Sequence, residues 1–309
     1  MLNFFIGSFL ALVLVLNTSF ALVANCAEQG NTDASSNGSA WSMSLRSSYV
    51  YQFNADLDQG SSFNNSRLFI QGGPVYSPDH RRSLSLSVGY GFDGYDFSGD
   101  RQAPWQDVHS LRLGVPVRWG FGRAWTIIGV PTIRFAAENS SDWDNGVTGG
   151  GFAGFSYKFS DRLTIGPGIG MLSQLEDDAS IFPILIINWK ITDRLSLETG
   201  RGMAATEGPG LALNWNLNDR WDLFMGGRYE QQRFRLASDN PVPGGIGVKS
   251  SFTLLAGTNY SFSKRIKASL LGGMDFGGEL RQEDRDGTLV VREDYDPALF
   301  LGLTFSGQF

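Results

Sequence analysis

From Trp41 to the C-terminus, apolar residues return at every second position in stretches of about ten residues, the length of a membrane-crossing strand. The final stretch is the clearest. Phe309, Gly307, Phe305, Leu303, Leu301 and Leu299 share one face, and Gln308, Ser306, Thr304 and Gly302 share the other. A period of two places successive side chains on opposite sides of a β-strand. The same pattern sets Leu84, Leu86, Val88, Tyr90 and Phe92 against Ser85, Ser87, Gly89, Gly91 and Asp93, and Leu211, Leu213, Trp215 and Leu217 against Ala212, Asn214 and Asn216. Ile266, Ala268, Leu270 and Met274 likewise alternate with Lys267, Ser269, Gly273 and Asp275. Alternation alone fits a soluble sandwich as well as a barrel with lipid outside and water within.

Punctuation separates the two. Tyr157–Leu163, Lys190–Leu195, Asn216–Trp221 and Ser261–Ile266 all run from a strand end through polar residues to Lys or Arg and then an apolar residue, with Trp119–Arg123 and Ser77–Arg82 as looser versions. Each predicts a tight hairpin. Between them lie more polar segments centred on Asn54–Asn64, Ser98–Gln106, Glu138–Asn145, Gln174–Ala179, Thr206–Gly208, Leu236–Gly245 and Gly277–Asp294. Short turns alternating with longer loops give about fourteen strands, or twelve if one element has been split, with both chain termini on the short-turn side. Tryptophan adds an independent sign. Trp41, Trp119, Trp125, Trp189, Trp215 and Trp221 fall at the short-turn ends, where an aromatic girdle would meet a membrane interface, and only Trp105 and Trp143 fall in long connections.

The N-terminus fits an exported chain. An apolar run from Phe4 to Leu16 followed by small residues reads as a signal peptide over 1–27, then a short polar segment over 28–40 and the barrel over 41–309. Cys26 is the single cysteine, which rules out an intramolecular disulfide; Val23-Ala24-Asn25-Cys26 is a loose lipobox, and lipidation stays open. A formal net charge of −6 and the lack of a basic stripe argue against a nucleic-acid partner.

The secretion signal, the dyad strands, the repeated Asp-Arg turns and the terminal strand Leu299–Phe309 together resemble Gram-negative outer-membrane β-barrel proteins. The segment from Gly166-Pro167-Gly168-Ile169-Gly170 through Glu176-Asp177-Asp178 to Phe182-Pro183-Ile184 is similar to the middle of uncharacterised porin-like families. The resemblance implies an all-β, antiparallel, up-and-down transmembrane barrel in the bacterial outer membrane. It also implies that Phe309 is recognised by the barrel-assembly machinery, with outer-membrane lipid and lipopolysaccharide as surroundings; it leaves the oligomeric state open.

Candidate chemistry lies inside the barrel. Arg46, Arg67, Arg112, Arg118, Arg228, Lys158, Lys190 and Lys267 fall on the expected inner face with Asp93, Glu198, Asp222, Glu230 and Asp275. Rows of opposite sign either create a transverse field in a water-filled pore or pair across it and close it. Gly166, Gly168 and Gly170 fall on the lumen face with Ile165, Pro167 and Ile169 toward lipid, so a track free of side chains is expected there, giving room for a plug or close backbone approach. With no helix after it, this glycine run is no nucleotide loop, and no cofactor is expected. Two histidines, His80 and His109, and one cysteine leave little for nitrogen or sulfur metal ligation. Glu176, Asp177 and Asp178 are weak candidates for a divalent cation or a solvated acidic rim, as are Glu138 with Asp142 and Asp144, and Glu283, Asp284 and Asp286. His109 and Ser110 are neighbours on one strand and so point to opposite faces, which counts against a hydrolase. Asp286-Gly287 predicts a hairpin at the tip of the last outer loop. Three functions follow in order: a channel or transporter for small solutes, a non-conducting envelope protein whose loops bind partners or lipopolysaccharide, and a membrane-embedded hydrolase.

Overall fold

The computed structural model describes residues 40–309 apart from 59, 101, 140, 142 and 200–209. The expected signal peptide, Cys26 and the loop at Thr206–Gly208 lie outside the described residues. The strands are β1 (Trp41–Asp56), β2 (Ser62–Asp79), β3 (Arg82–Ser85), β4 (Ser87–Ser98), β5 (Val108–Gly114), β6 (Val117–Phe121), β7 (Trp125–Glu138), β8 (Val147–Lys158) and β9 (Leu163–Gln174). They continue as β10 (Asp177–Lys190), β11 (Leu195–Thr199), β12 (Gly210–Asn216), β13 (Trp221–Arg235), β14 (Ile246–Ser263), β15 (Ile266–Glu283), β16 (Leu289–Tyr295) and β17 (Ala298–Gln308).

Three pairs are single staves with a short break: β3 and β4 at Leu86, β5 and β6 at Val115-Pro116, and β16 and β17 at Asp296-Pro297. The seventeen segments therefore make fourteen staves. Each pairs antiparallel with its chain neighbour, and β17 closes on β1 from Ser44↔Gln308 to Gln52↔Phe300. Phe309 extends the seam, exchanging backbone hydrogen bonds of 2.8 and 2.9 Å with Met43. Prolines account for two of the breaks. They lack an N–H but still accept: Pro74 O receives Leu86 N at 3.0 Å, Pro116 O receives Ser85 N at 2.9 Å, and Pro131 O receives Val115 N at 3.0 Å.

Most of the short turns share one local device. Ser160, Thr192, Asn218 and Asp79 each accept, through a side-chain oxygen, the N–H two residues on, at 2.8–3.2 Å. The first three also accept the next N–H, at 3.0–3.1 Å. These residues compete well for backbone donors where a chain reverses. Beside one such turn, the hydrogen bond and charge of Lys158, 2.6 Å away, hold the Asp161 carboxyl below its ordinary range.

The outside of the wall is apolar all round: Leu45, Tyr49, Ile70, Val88, Ile133, Ile169, Leu185, Met225, Leu254, Leu270 and Leu303 are exposed. At the short-turn end this surface ends in aromatic pairs, with ring centroids 5.0 Å apart for Trp41 and Tyr76, 4.8 Å for Trp125 and Tyr157, and 4.8 Å for Trp221 and Tyr260. A soluble protein would not expose such a surface.

The far end departs from a plain barrel. Strand β12 stops at Gly210, opposite Arg228, so β13 above that point has no partner on that side among the described residues. From there β13 crosses the mouth and meets the end of β7 through a parallel bridge, Arg235↔Ala137. Strand β14 follows it, and Ile246 to Ser251 are buried at every position on both faces. The bend is set by a bulge at which Gly277 and Gly278 oppose the single residue Ser251; Gly277 has φ of 55°, a conformation that suits glycine. The last outer loop is the expected hairpin. Its tip has five residues, only Gly287 has positive φ, and the Asp284 carboxylate accepts the amides of Asp286 and Thr288 at 2.9 Å.

Candidate functional site: the closed outer mouth

Three layers fill the barrel interior. Toward the short-turn end are two apolar walls. Ile128, Val130, Phe152, Leu172 and Phe182 make one, and Val50, Phe224, Leu255, Leu271 and Phe300 make the other. The glycine track is a correction. Gly168 lies under the ring of Phe152 and Gly170 under that of Phe182, so close that an added Cβ would come within 2.6 and 2.2 Å of them, while Gly166 is pressed against the backbone of Phe155. The glycines admit rings and a neighbouring strand, and no open track exists there.

The middle layer is charged. The Arg67 guanidinium on β2 donates to Asp93 on β4 at 2.7 Å and to Glu230 on β13 at 3.1 Å. Glu230 also receives Arg228 Nε at 2.9 Å. Along the wall β1, β17, β15 and β14 lie between β2 and β13, so the Arg67–Glu230 bond spans the interior. Asp275 accepts the Thr253 hydroxyl at 2.5 Å. Of these contacts Arg67–Glu230 crosses the lumen, while Arg67–Asp93 joins adjacent strands and Arg228–Glu230 lies within β13. Arg46, Arg112 and Glu198 are buried elsewhere on the inner wall, Arg112 against the Phe69 ring at 5.6 Å, and Arg118 and Asp222 are half-buried nearer the short turns.

The outer layer is the site proper. The loop joining β4 to β5 dips inward and buries Trp105 to 1 % exposure among Phe63, Phe234, Leu236, Leu280 and Tyr295, with Tyr95 and Phe97 alongside. Glu138, at the end of β7, ties that loop to the crossing hairpin. Its carboxylate accepts Gln106 N at 2.6 Å, Ala237 N at 2.8 Å and Asn240 Nδ2 at 3.0 Å. Asn240 and Gln282 both donate to Pro104 O, at 2.9 and 2.6 Å. On the other face of the hairpin, Leu175 packs on Ile246 and Val248, and Arg233 pairs with Glu283 at 2.6 Å.

Glu176 is drawn to Arg235 at 2.6 Å and Asp178 is exposed, and among the described residues no three metal-ligating side chains converge. Ser110 is buried inside, whereas His109 bonds the Tyr90 hydroxyl at 2.7 Å on the exposed side. Sequence reading placed Glu138 in an acidic rim and Trp105 in a loop, and it missed the crossing hairpin. A sign was present: Gln231, Arg233 and Arg235 occupy positions that would face lipid if β13 stayed in the wall.

No protein-family model matches the sequence, and no curated protein matches it. Solved structures do match in fold. The COG4313 outer membrane channel from Pseudomonas putida F1 is 12% identical, with 90% of this chain and 98% of that chain covered at a TM-score of 0.51. The P. putida toluene transporter TodX is 11% identical over 96% of this chain and 99% of that chain at 0.48, and a Pseudomonas aeruginosa FadL homologue is 14% identical over 87% and 89% at 0.43. The fold, a closed, fourteen-stranded, antiparallel barrel, is similar to that of the COG4313 outer membrane channel.

Proposed function

We propose that this chain is an outer-membrane channel for small solutes whose outer mouth is held shut by its own β13–β14 hairpin. The observation that carries the reading is the way the interior is closed. A fourteen-stranded wall encloses more space than wall side chains fill, and here that space is taken by a chain segment latched through one carboxylate, Glu138. A barrel serving only as a structural body has no need of such a latch. The apolar belt and the girdle of aromatic residues support an outer-membrane location, among lipid and lipopolysaccharide, with Phe309 as the assembly signal.

Planar-bilayer recording tests this. Wild-type protein gives rare, discrete conductance steps. Glu138→Ala, which strands the buried Ala237 amide at about 1–3 kcal/mol and takes the acceptor from the part-buried Gln106 amide, raises the open probability. Silence from both proteins across salts and voltages contradicts the proposal.

A further inference from the structure

Trp105 sits in the mouth as a ligand sits in a pocket. It is carried by the irregular connection between β4 and β5, whereas the rings around it belong to strands: Phe63 on β2, Tyr95 and Phe97 on β4, Phe234 on β13 and Tyr295 on β16. The indole meets Tyr95, Phe97 and Phe234 edge-on, with centroids 5.7, 6.0 and 5.1 Å away. These are the preferred geometries for aromatic pairs. The surrounding rings also hold one another, Phe63 lying 5.4 Å from Phe97 and 5.1 Å from Tyr295.

Although buried, the indole N–H has no hydrogen-bond acceptor among the described residues. An unpaired buried donor is costly, so Trp105, whose N–H is fixed in place by the loop that carries it, is held here less firmly than its ring contacts alone would hold it. Below the rings, the Lys249 ammonium faces Phe63 and Tyr95 at 5.4 and 5.6 Å and donates to Gln52 at 2.7 Å. A cation in the ring site would meet Lys249 at close range.

We propose that the Trp105 side chain is a displaceable plug in a binding site for an uncharged, planar aromatic solute, and that entry of the solute expels Trp105 and frees the β4–β5 loop from Glu138. This rests on the channel reading for its purpose, but the site itself is testable apart from conductance.

The probe is indole, with choline as the cationic control, added to full-length wild-type protein in detergent. Hydrogen exchange at the Gln106 amide, which is bonded to Glu138, is expected to speed up at least about tenfold with indole and to be unchanged with choline, while amides in the middle of β14 stay protected. Trp105→Ala, checked for folding by its heat-modifiable migration, is expected to bind indole at least about tenfold more tightly than wild type, since no plug need be expelled. No change in Gln106 exchange in wild type overturns the proposal, because a fixed core tryptophan would give that result whatever the variant binds. Faster exchange with choline as well overturns the assigned ligand class. Bilayer recording of the same samples keeps the two readings apart: exchange that responds to indole in a silent barrel defeats the channel and leaves the ring site standing, and a conducting barrel whose exchange ignores indole does the reverse.

Discussion

The two ends of this barrel are built from the same staves and follow different rules. At the short-turn end the pattern is simple, with apolar residues at outward positions and four of the six reversals capped by the side chains of Ser160, Thr192, Asn218 and Asp79. At the outer end β13 and β14 leave the wall, both their faces become buried, and polar residues appear where lipid contacts would otherwise stand. Order at the first end is local and written within six residues of sequence. At the second it depends on partners nearly a hundred residues away, such as Arg235 with Asn145 and Ala237 with Glu138. The first end makes the barrel, and in the proposed channel the second decides whether it is open.

Substitutions can sharpen this contrast. The largest effect is expected at the charged layer that joins the ends. Arg67→Ala leaves Asp93 and Glu230 buried with their shared partner removed, a loss of about 3–5 kcal/mol, read as a lower urea midpoint in liposomes. A midpoint within error of wild type would mean that the two ion pairs of Arg67 carry none of the stability assigned to them. Next is the bend. Gly277→Ala forces a side chain into a left-handed conformation at about 1–2 kcal/mol. Because nothing lies within 4 Å of an added Cβ there, the loss should come from the backbone alone, and Gly277→Asn should recover most of it. Equal losses in the two variants would place the cost elsewhere. The smallest effect belongs to the regular end. Asn218→Ala removes one turn acceptor and should cost about 1 kcal/mol, with no change in channel behaviour. Altered gating in this variant would erase the division between the two ends.

This division also explains what could be read from the sequence. The staves, the six short turns, the terminal strand and the inward side of Arg67, Asp93, Arg228 and Glu230 were legible because period-two alternation and turn chemistry act between near neighbours. The fate of Gly168 and Gly170 was not, since a glycine marks room without saying what fills it, and here Phe152 and Phe182 do. Glu138 looked like part of an acidic rim because its three donors come from two distant loops. The crossing of β13 was hidden by regular alternation as far as Tyr229; the polar outward row Gln231, Arg233 and Arg235 was the one local sign against a lipid-facing stave.

The most direct test of the account is to fix the crossing hairpin in place. Ala137 and Arg235 are bridge partners where β13, having crossed the mouth, meets β7, so the double variant Ala137→Cys with Arg235→Cys is positioned to form a disulfide between the two strands. In planar bilayers the oxidised protein should be silent, and adding reductant should restore discrete conductance steps within the same recording. Equal conductance before and after reduction, with the cross-link verified on a gel, would show that the hairpin does not close the barrel.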